Sequence, residues 1–336
     1  MTDAAAATTS TTLLLVNMGG PGSAAEVEPY LRAIFADPAI LQVPSLIRGP
    51  LGRFIARRRA PRVAERYQRI GGGSPLARWT VAQEETTRAA LGRAGASIGV
   101  EHAFRYTAPL VDEALAAMHA QGTRRVILLP LFPHHTDAMT GSILREAHRA
   151  AEPRGLELQV VDAFGAREDV LALWGEMLDE ALAQAGRGAR VLFVAHGIPQ
   201  RNVRRGEDYP DRVRDTAGAL AARLDRSTSW SVAFQSRVGP VRWTEPYLES
   251  ELARLAASSA PVVLMPVSFV ADCLETLFDL DEVAAAELRT AGVTEVVRVP
   301  AFNDLPAFGG CLASMALEAA AAAGWTESLI RASEEH

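Results

Sequence analysis

Four apolar runs recur, in the same order, in the two halves of this chain. Leu13-Leu-Leu-Val-Asn-Met-Gly-Gly-Pro21 is matched by Val191-Leu-Phe-Val-Ala-His-Gly-Ile-Pro199, and Phe104-Arg-Tyr-Thr-Ala-Pro109 by Phe234-Gln-Ser-Arg-Val-Gly-Pro240. Ile127-Leu-Leu-Pro-Leu-Phe132 is matched by Val263-Leu-Met-Pro-Val-Ser268, and Leu158-Gln-Val-Val-Asp-Ala-Phe164 by Val296-Val-Arg-Val-Pro-Ala-Phe302. Stretches rich in Ala, Leu, Glu and Arg separate them. Short apolar runs alternating with helical stretches read as βαβ units around a parallel sheet. One such match would mean little, but four in register predict a duplication. The expected fold class is α/β, with two similar domains that each carry a four-stranded parallel sheet flanked by helices. A cleft between two domains is a favoured place for a ligand. The expected limits are 11–168 and 169–325, with the junction in the stretch from Glu168 to Arg190, and 1–10 as a disordered arm.

A length of 336 residues accommodates two domains. The 49% hydrophobic and 22% charged composition is that of an ordinary globular protein, and the net charge of −6 argues against nucleic acid as a partner. Cys273 and Cys311 are the only cysteines. Two are too few for a disulfide framework, and they cannot alone supply the four ligands of a cluster or structural zinc. A cytoplasmic compartment is the expectation. The N-terminal stretch lacks the basic region and apolar core of a signal peptide, and no run reaches the roughly 18 apolar residues of a membrane span.

In the second half, Val191 to Ala195 read as a buried strand that delivers His196 to a Gly-Ile-Pro turn. Ligands of parallel sheets bind beyond the carboxyl ends of strands, and a histidine there titrates near neutral pH. That suits a general base; a hydrogen-bonded strand-end histidine is the plainer alternative. After the run Val262 to Met265 comes Ser268-Phe-Val-Ala-Asp-Cys-Leu-Glu-Thr-Leu, which reads as a strand end, a turn and a helix start. Asp272 with Glu275 fits a helix capping box. The other reading puts Asp272, Cys273 and Glu275 at the cleft mouth near His196, where a histidine and a carboxylate can share a proton or hold a divalent metal. The cleft walls are expected to carry Asn17 to Gly20, Phe132 to His135, His196-Gly197 and Ser268-Phe269.

Three further features stand out. His134-His135 is not expected to bind one ion, because adjacent strand residues point to opposite faces. Gly71 to Gly73 lack the lysine and spacing of a phosphate loop and read as backbone passing close to something bulky. Between Asp37 and Pro61, apolar Leu41, Val43, Leu46, Ile47, Leu51, Phe54 and Ile55 mix with Arg48, Arg53, Arg57, Arg58 and Arg59, punctuated by Pro38, Pro44 and Pro50. An insertion of this kind at a strand end reads as a lid. Its composition suits a flat, carboxylate-bearing ligand or a membrane surface. The alternative is a helix-turn-helix packed on the core with a solvated basic face.

Taken together, the motifs resemble those of the ferrochelatases, enzymes that insert ferrous iron into a porphyrin. They are Leu15-Val-Asn-Met-Gly-Gly-Pro21, Arg57-Arg-Arg-Ala-Pro61, Tyr67-Gln-Arg-Ile-Gly-Gly-Gly-Ser-Pro75, Phe104-Arg-Tyr106, Thr140-Gly-Ser142, Ala195-His-Gly-Ile-Pro199, Phe234-Gln-Ser-Arg-Val-Gly-Pro240 with Trp243, and Asp272-Cys-Leu-Glu-Thr-Leu277. The resemblance covers about Leu13 to Leu317. It implies two Rossmann-like, chelatase-type domains related by pseudo-symmetry. It also implies that His196 and Glu275 flank the porphyrin centre as catalytic and metal-contacting groups, with Asp272 beside them. Arg58, Arg59, Tyr67, Ser74, Arg105 and Trp243 match positions of the porphyrin pocket, and Phe269 joins them as a cleft-wall residue. Met18 matches a methionine of members that use protoporphyrin rather than coproporphyrin.

What the resemblance implies is synthesis of protohaem from protoporphyrin IX and ferrous iron. Iron is then a substrate, with no permanently bound cofactor and no iron–sulfur cluster. Peripheral contact with the inner face of a membrane would run through the lid. The chain departs from the family where Cys273 stands in place of a histidine, and where Phe132-Pro-His-His-Thr136 stands before Thr140-Gly-Ser142. A cysteine there either packs as a small hydrophobe or, as thiolate, meets a soft metal. Two other readings remain at this point: a non-catalytic tetrapyrrole or haem carrier, and a chelatase for another metal or macrocycle.

Overall fold

The structure, a computed structural model, describes residues 10–325 apart from 238 and 240. Most of the arm expected to be disordered lies outside the described residues, but Ser10 already opens the first strand. The two halves form the two expected sheets. Strands β1 (Ser10–Asn17), β2 (Ile98–Phe104), β3 (Thr123–Pro130) and β4 (Glu157–Val160) lie in the order β2-β1-β3-β4. Strands β5 (Arg190–His196), β6 (Trp230–Gln235), β7 (Val262–Pro266) and β8 (Val296–Arg298) repeat it as β6-β5-β7-β8, and every pairing is parallel. Phe104 and Phe234 fall near the ends of their strands, so most of those two matching motifs forms the following loops.

Helices α1 (Val27–Ala36), α2 (Ser45–Arg69), α3 (Leu76–Arg93), α4 (Val111–Ala120) and α5 (Thr140–Ala151) accompany the first sheet. Helices α6 (Glu168–Ala185), α7 (Gln200–Val203), α8 (Tyr209–Ala221), α9 (Leu248–Ala256), α10 (Ala285–Thr290) and α11 (Pro306–Ala322) follow. Strand residues point alternately to opposite faces, and here both faces are buried. Leu13, Leu15, Ile127 and Leu129 of the first sheet and Val191, Phe193, Val263 and Met265 of the second belong to one core, together with residues of α3, α6, α8 and α11. The intervening residues face outward: Leu14, Val16, Val126 and Leu128 pack on the helices of their own half, as do Leu192, Val194, Val262 and Leu264. The halves therefore share a core, and α11, the last helix among the described residues, returns to pack against α3 of the first half. Gly309 permits that approach, since a Cβ there would sit 2.6 Å from Thr86 Oγ1.

In the segment expected to form a lid, 37–44 is a turn and α2 runs on from Ser45 to Arg69, so that α1, the turn and α2 form a helical hairpin. Pro50 and Pro61 lie inside α2 without ending it. Each removes one backbone hydrogen bond. The residues four positions earlier, Leu46 and Arg57, are solvent-exposed, where water can satisfy the released carbonyls. The other side of α2 packs on α1 through Phe35, Ala56 and Tyr67. Gly52 lets the two helices touch; a Cβ would lie 2.9 Å from the Phe35 carbonyl. A second departure from the expected elements is Glu275–Ala284, which winds as a π-helix. Such segments are rare and frequently occur at functional sites.

Candidate active site

A cleft opens where the carboxyl ends of both sheets meet. Asn17 and Met18 at the end of β1 line it from the first half; His196, Trp243, Phe269, Cys273 and Glu275 line it from the second. His196 ends β5, and its surroundings fix it from several sides. Its N–H donates to Ser268 Oγ at 3.0 Å, and its carbonyl accepts from Tyr209 OH at 2.8 Å. Its Nδ1 lies 2.7 Å from the Gly197 carbonyl, so Nδ1 carries a proton and, in the neutral ring, Nε2 holds the lone pair. The turn is closed by the Trp243 segment. Thr244 N–H donates to the Ile198 carbonyl at 2.9 Å, and Gln200 N–H to the Arg242 carbonyl at 2.8 Å. This brings the Trp243 ring to 6.4 Å from the imidazole, centroid to centroid.

Glu275 is the first residue of the π-helix. Behind it lies Tyr67, buried and paired with Ser74, its hydroxyl pushed up by burial and then by the charge of Glu275. Burial and Tyr67 likewise hold the Tyr30 phenol neutral. One turn further along, burial and Glu275 push Asp279 up to about 7. Arg66 stands 3.6 Å from Asp279, and Arg69 pairs with Glu282 at 2.6 Å. The carboxylates thus continue along the π-helix from the cleft toward arginines of α2.

Asp272 is not among the cleft-lining residues. It pairs with Arg298 at 3.1 Å, accepts from Thr276 Oγ1 and Asn303 Nδ2, each at 2.9 Å, and so anchors the start of the π-helix. No capping box forms, because Asp272 bonds side chains here rather than the first helical N–H groups. Cys273 is buried against Leu76 and Ala271, beside Met18, Trp79 and Phe269. Burial and then Glu275 push its thiol well up, so it packs as a small apolar group.

The remaining candidates separate. Arg105 does not line the cleft; its guanidinium is held by Asp37 and Ser142. Arg58 is exposed on α2, and Arg59 stacks over Phe35 at 5.7 Å. Ser74 sits behind Gly20, and its N–H donates to the Pro21 carbonyl at 2.7 Å. Gly73 is the close approach expected of the glycine run, with a Cβ falling 2.4 Å from the Gly22 carbonyl oxygen. The two adjacent histidines do diverge, although they lie in a loop rather than a strand. His134 is buried against Thr216 at 2.9 Å, and burial lowers its pKa to about 3. His135 turns to Asp162 at 2.5 Å. Tyr209, Asp279 and Asp37 were not singled out by the motifs. Only their contacts, made across about 13, 4 and 68 to 105 positions of sequence, reveal them.

Comparison with known proteins gives a consistent result. The Ferrochelatase family model matches residues 10–320. The ferrochelatase of Geotalea daltonii is 37% identical over 91% of this chain and 96% of its own length. That of Caulobacter vibrioides is 35% identical over 88% and 86%. Among solved structures, SirB from Bacillus subtilis with Fe3+ superposes with a TM-score of 0.55 at 14% identity, covering 95% of this chain and 99% of that one. At that identity the likeness bears on the two-domain fold alone.

Proposed function

The chain belongs to the ferrochelatase family, metal-inserting lyases of haem synthesis, and from that premise we propose that it inserts ferrous iron into protoporphyrin IX with His196 as the base. The observation that carries this reading is the state of His196. Its Nδ1–H is tied to the Gly197 carbonyl, and the ring lines the same cleft as Glu275. A free porphyrin holds two pyrrole N–H protons in its centre, and both must leave before a divalent ion can enter. A base fixed in one tautomer can accept such a proton without reorganising. Glu275 is the acidic group at the ring, and Asp279 continues outward from it. Together they can escort a cation inward or protons outward. Tyr67, paired with Ser74, stands behind Glu275, while Asp272 acts through the π-helix it anchors.

Trp243, Phe269 and Met18 give the flat macrocycle apolar walls, against which remote binding energy can hold it bent. Met18 supports the vinyl-bearing protoporphyrin over a coproporphyrin with two further carboxylates. Arg58 and Arg59 stand on the lid helix as partners for propionates. Anaerobic incubation with ferrous iron and protoporphyrin IX should give the haem spectrum, with slower turnover of coproporphyrin III. A folded protein that makes no haem overturns the proposal.

The lid supports a peripheral membrane contact as well. Leu46, Ile47 and Phe54 on α2 are 90%, 51% and 63% exposed, among Arg48, Arg53, Arg57 and Arg58. Apolar tips within a basic collar fit an anionic lipid surface. No helix among the described residues is long and apolar enough to cross a membrane. Co-sedimentation with anionic vesicles, lost in a Leu46→Ser/Ile47→Ser/Phe54→Ser variant, is the expected outcome. Equal binding by both proteins would remove the lid from that role.

A further inference from the structure

The geometry points to Asp37 as a positioning residue that clamps the root of the lid and so sets one wall of the cleft; we propose that porphyrin affinity depends on it. Asp37 follows α1 directly and is 5% exposed. Its Oδ2 accepts from Arg105 Nη2 and Tyr106 OH, each at 3.0 Å, and from Ser142 Oγ. Arg105 Nε also donates to Ser142 Oγ at 2.8 Å, which closes the network. The three donors come from two places, the loop after β2 and the first turn of α5. A carboxylate at that helix start is also favoured by the orientation of the helix dipole.

On its other side the same residue shapes the chain entering the lid. Asp37 Oδ1 accepts from Ala39 N–H at 2.8 Å. Its carbonyl accepts from Ile40 N–H at 3.2 Å and Leu41 N–H at 2.9 Å. Ala39, Ile40 and Gln42 line the cleft. Arg105 and Tyr106 are in turn fixed to the β1 end that carries Met18. Arg105 N–H donates to the Asn17 carbonyl at 2.9 Å, and Tyr106 N–H to the Met18 carbonyl at 3.1 Å. One buried carboxylate therefore ties the lid wall of the cleft to the sheet wall. Arg105 serves this clamp rather than the substrate.

The role rests on the reading that the cleft takes a porphyrin, and its test separates the two. Binding of protoporphyrin IX to the full chain is followed by quenching of tryptophan fluorescence. Haem formation gives KM and kcat. Limited trypsin digestion reports on the lid at Arg48, Arg53, Arg57 and Arg58. Asp37→Asn keeps the shape but weakens the charged hydrogen bonds, and is expected to raise Kd and KM about tenfold. The value of kcat should change less, and tryptic cleavage within the lid should accelerate. Tyr106→Phe and Ser142→Ala each remove one donor and should shift Kd and cleavage the same way by a smaller factor. If Asp37→Asn fails to fold, those two decide the matter. Wild-type Kd and cleavage in the variants that fold would overturn the clamp, as would a fall in kcat with Kd unchanged. A wild-type chain that makes no haem would instead overturn the functional reading, and the lid cleavage would still judge the clamp.

Discussion

Asp279→Asn should stabilise the protein near neutral pH and not in acid. Asp279 is 23% exposed, and Arg66 at 3.6 Å does not offset the effects of burial and Glu275. Its pKa moves from an ordinary 3.8 to about 7. Because the folded value is the higher one, the folded protein holds this proton where the unfolded chain has lost it. Stability therefore falls as pH rises from about 4 to about 7, and the loss is complete above 7. At 1.36 kcal/mol for each pH unit the ceiling is about 4 kcal/mol, and residual solvent access brings the expected effect to about 2–4 kcal/mol. His134 works in the opposite sense. Its folded value of about 3 lies below the ordinary 6.5, so it lowers stability as pH falls below 6.5. The raw pH profile mixes the two, and only the difference between wild type and variant isolates Asp279. The assay is urea unfolding of both proteins from pH 4 to 9 in chelator, comparing midpoints at equal slope. A gap that opens between pH 4 and 7 and then stays level supports the reasoning. A constant gap, or none at pH 8, refutes it. A carboxylate kept at such a cost suggests a functional use, and the variant should also turn over iron more slowly.

Other expectations follow from the same contacts. His196→Ala should lower turnover at least about a hundredfold while protoporphyrin IX still quenches tryptophan fluorescence; near-normal turnover would remove it as the base. Cys273 should resist iodoacetamide at pH 8 until the protein is denatured, because burial and Glu275 keep it a thiol; ready labelling in the native state would show a thiolate. Gly309→Ala should destabilise by about 2 kcal/mol, since its Cβ meets Thr86 at 2.6 Å. Gly310→Ala, with nothing within 4 Å, should instead stabilise by about 0.5–1 kcal/mol. Melting curves that do not separate the two variants would contradict the α11–α3 packing.

The repeated apolar runs were enough to predict two four-stranded parallel sheets, because strand character and connection order are local properties of sequence. His196 was legible for the same reason: a buried strand followed by a Gly-Ile-Pro turn places a histidine at a strand's carboxyl end. Met18, Trp243, Phe269 and Glu275 all line the cleft. Pro38 and Pro44 do break the chain before α2, but Pro50 lies inside it, because whether a proline ends a helix depends on whether water can reach the carbonyl it frees, and on α2 it can. The π winding from Glu275 was equally hidden, as no residue pattern distinguishes it from an α-helix start. Asp272 and Arg105 carry the residue types of a site, and what the sequence did not show is that Arg298 with Asn303, and Asp37 with Ser142, hold their side chains. Those partners lie between 26 and 68 positions away. Period and spacing thus determined which strands form and which residue types stand at their ends. Which of those side chains face the cleft was decided by burial and by partners brought from distant segments, and those exist only once the two sheets close on their common core.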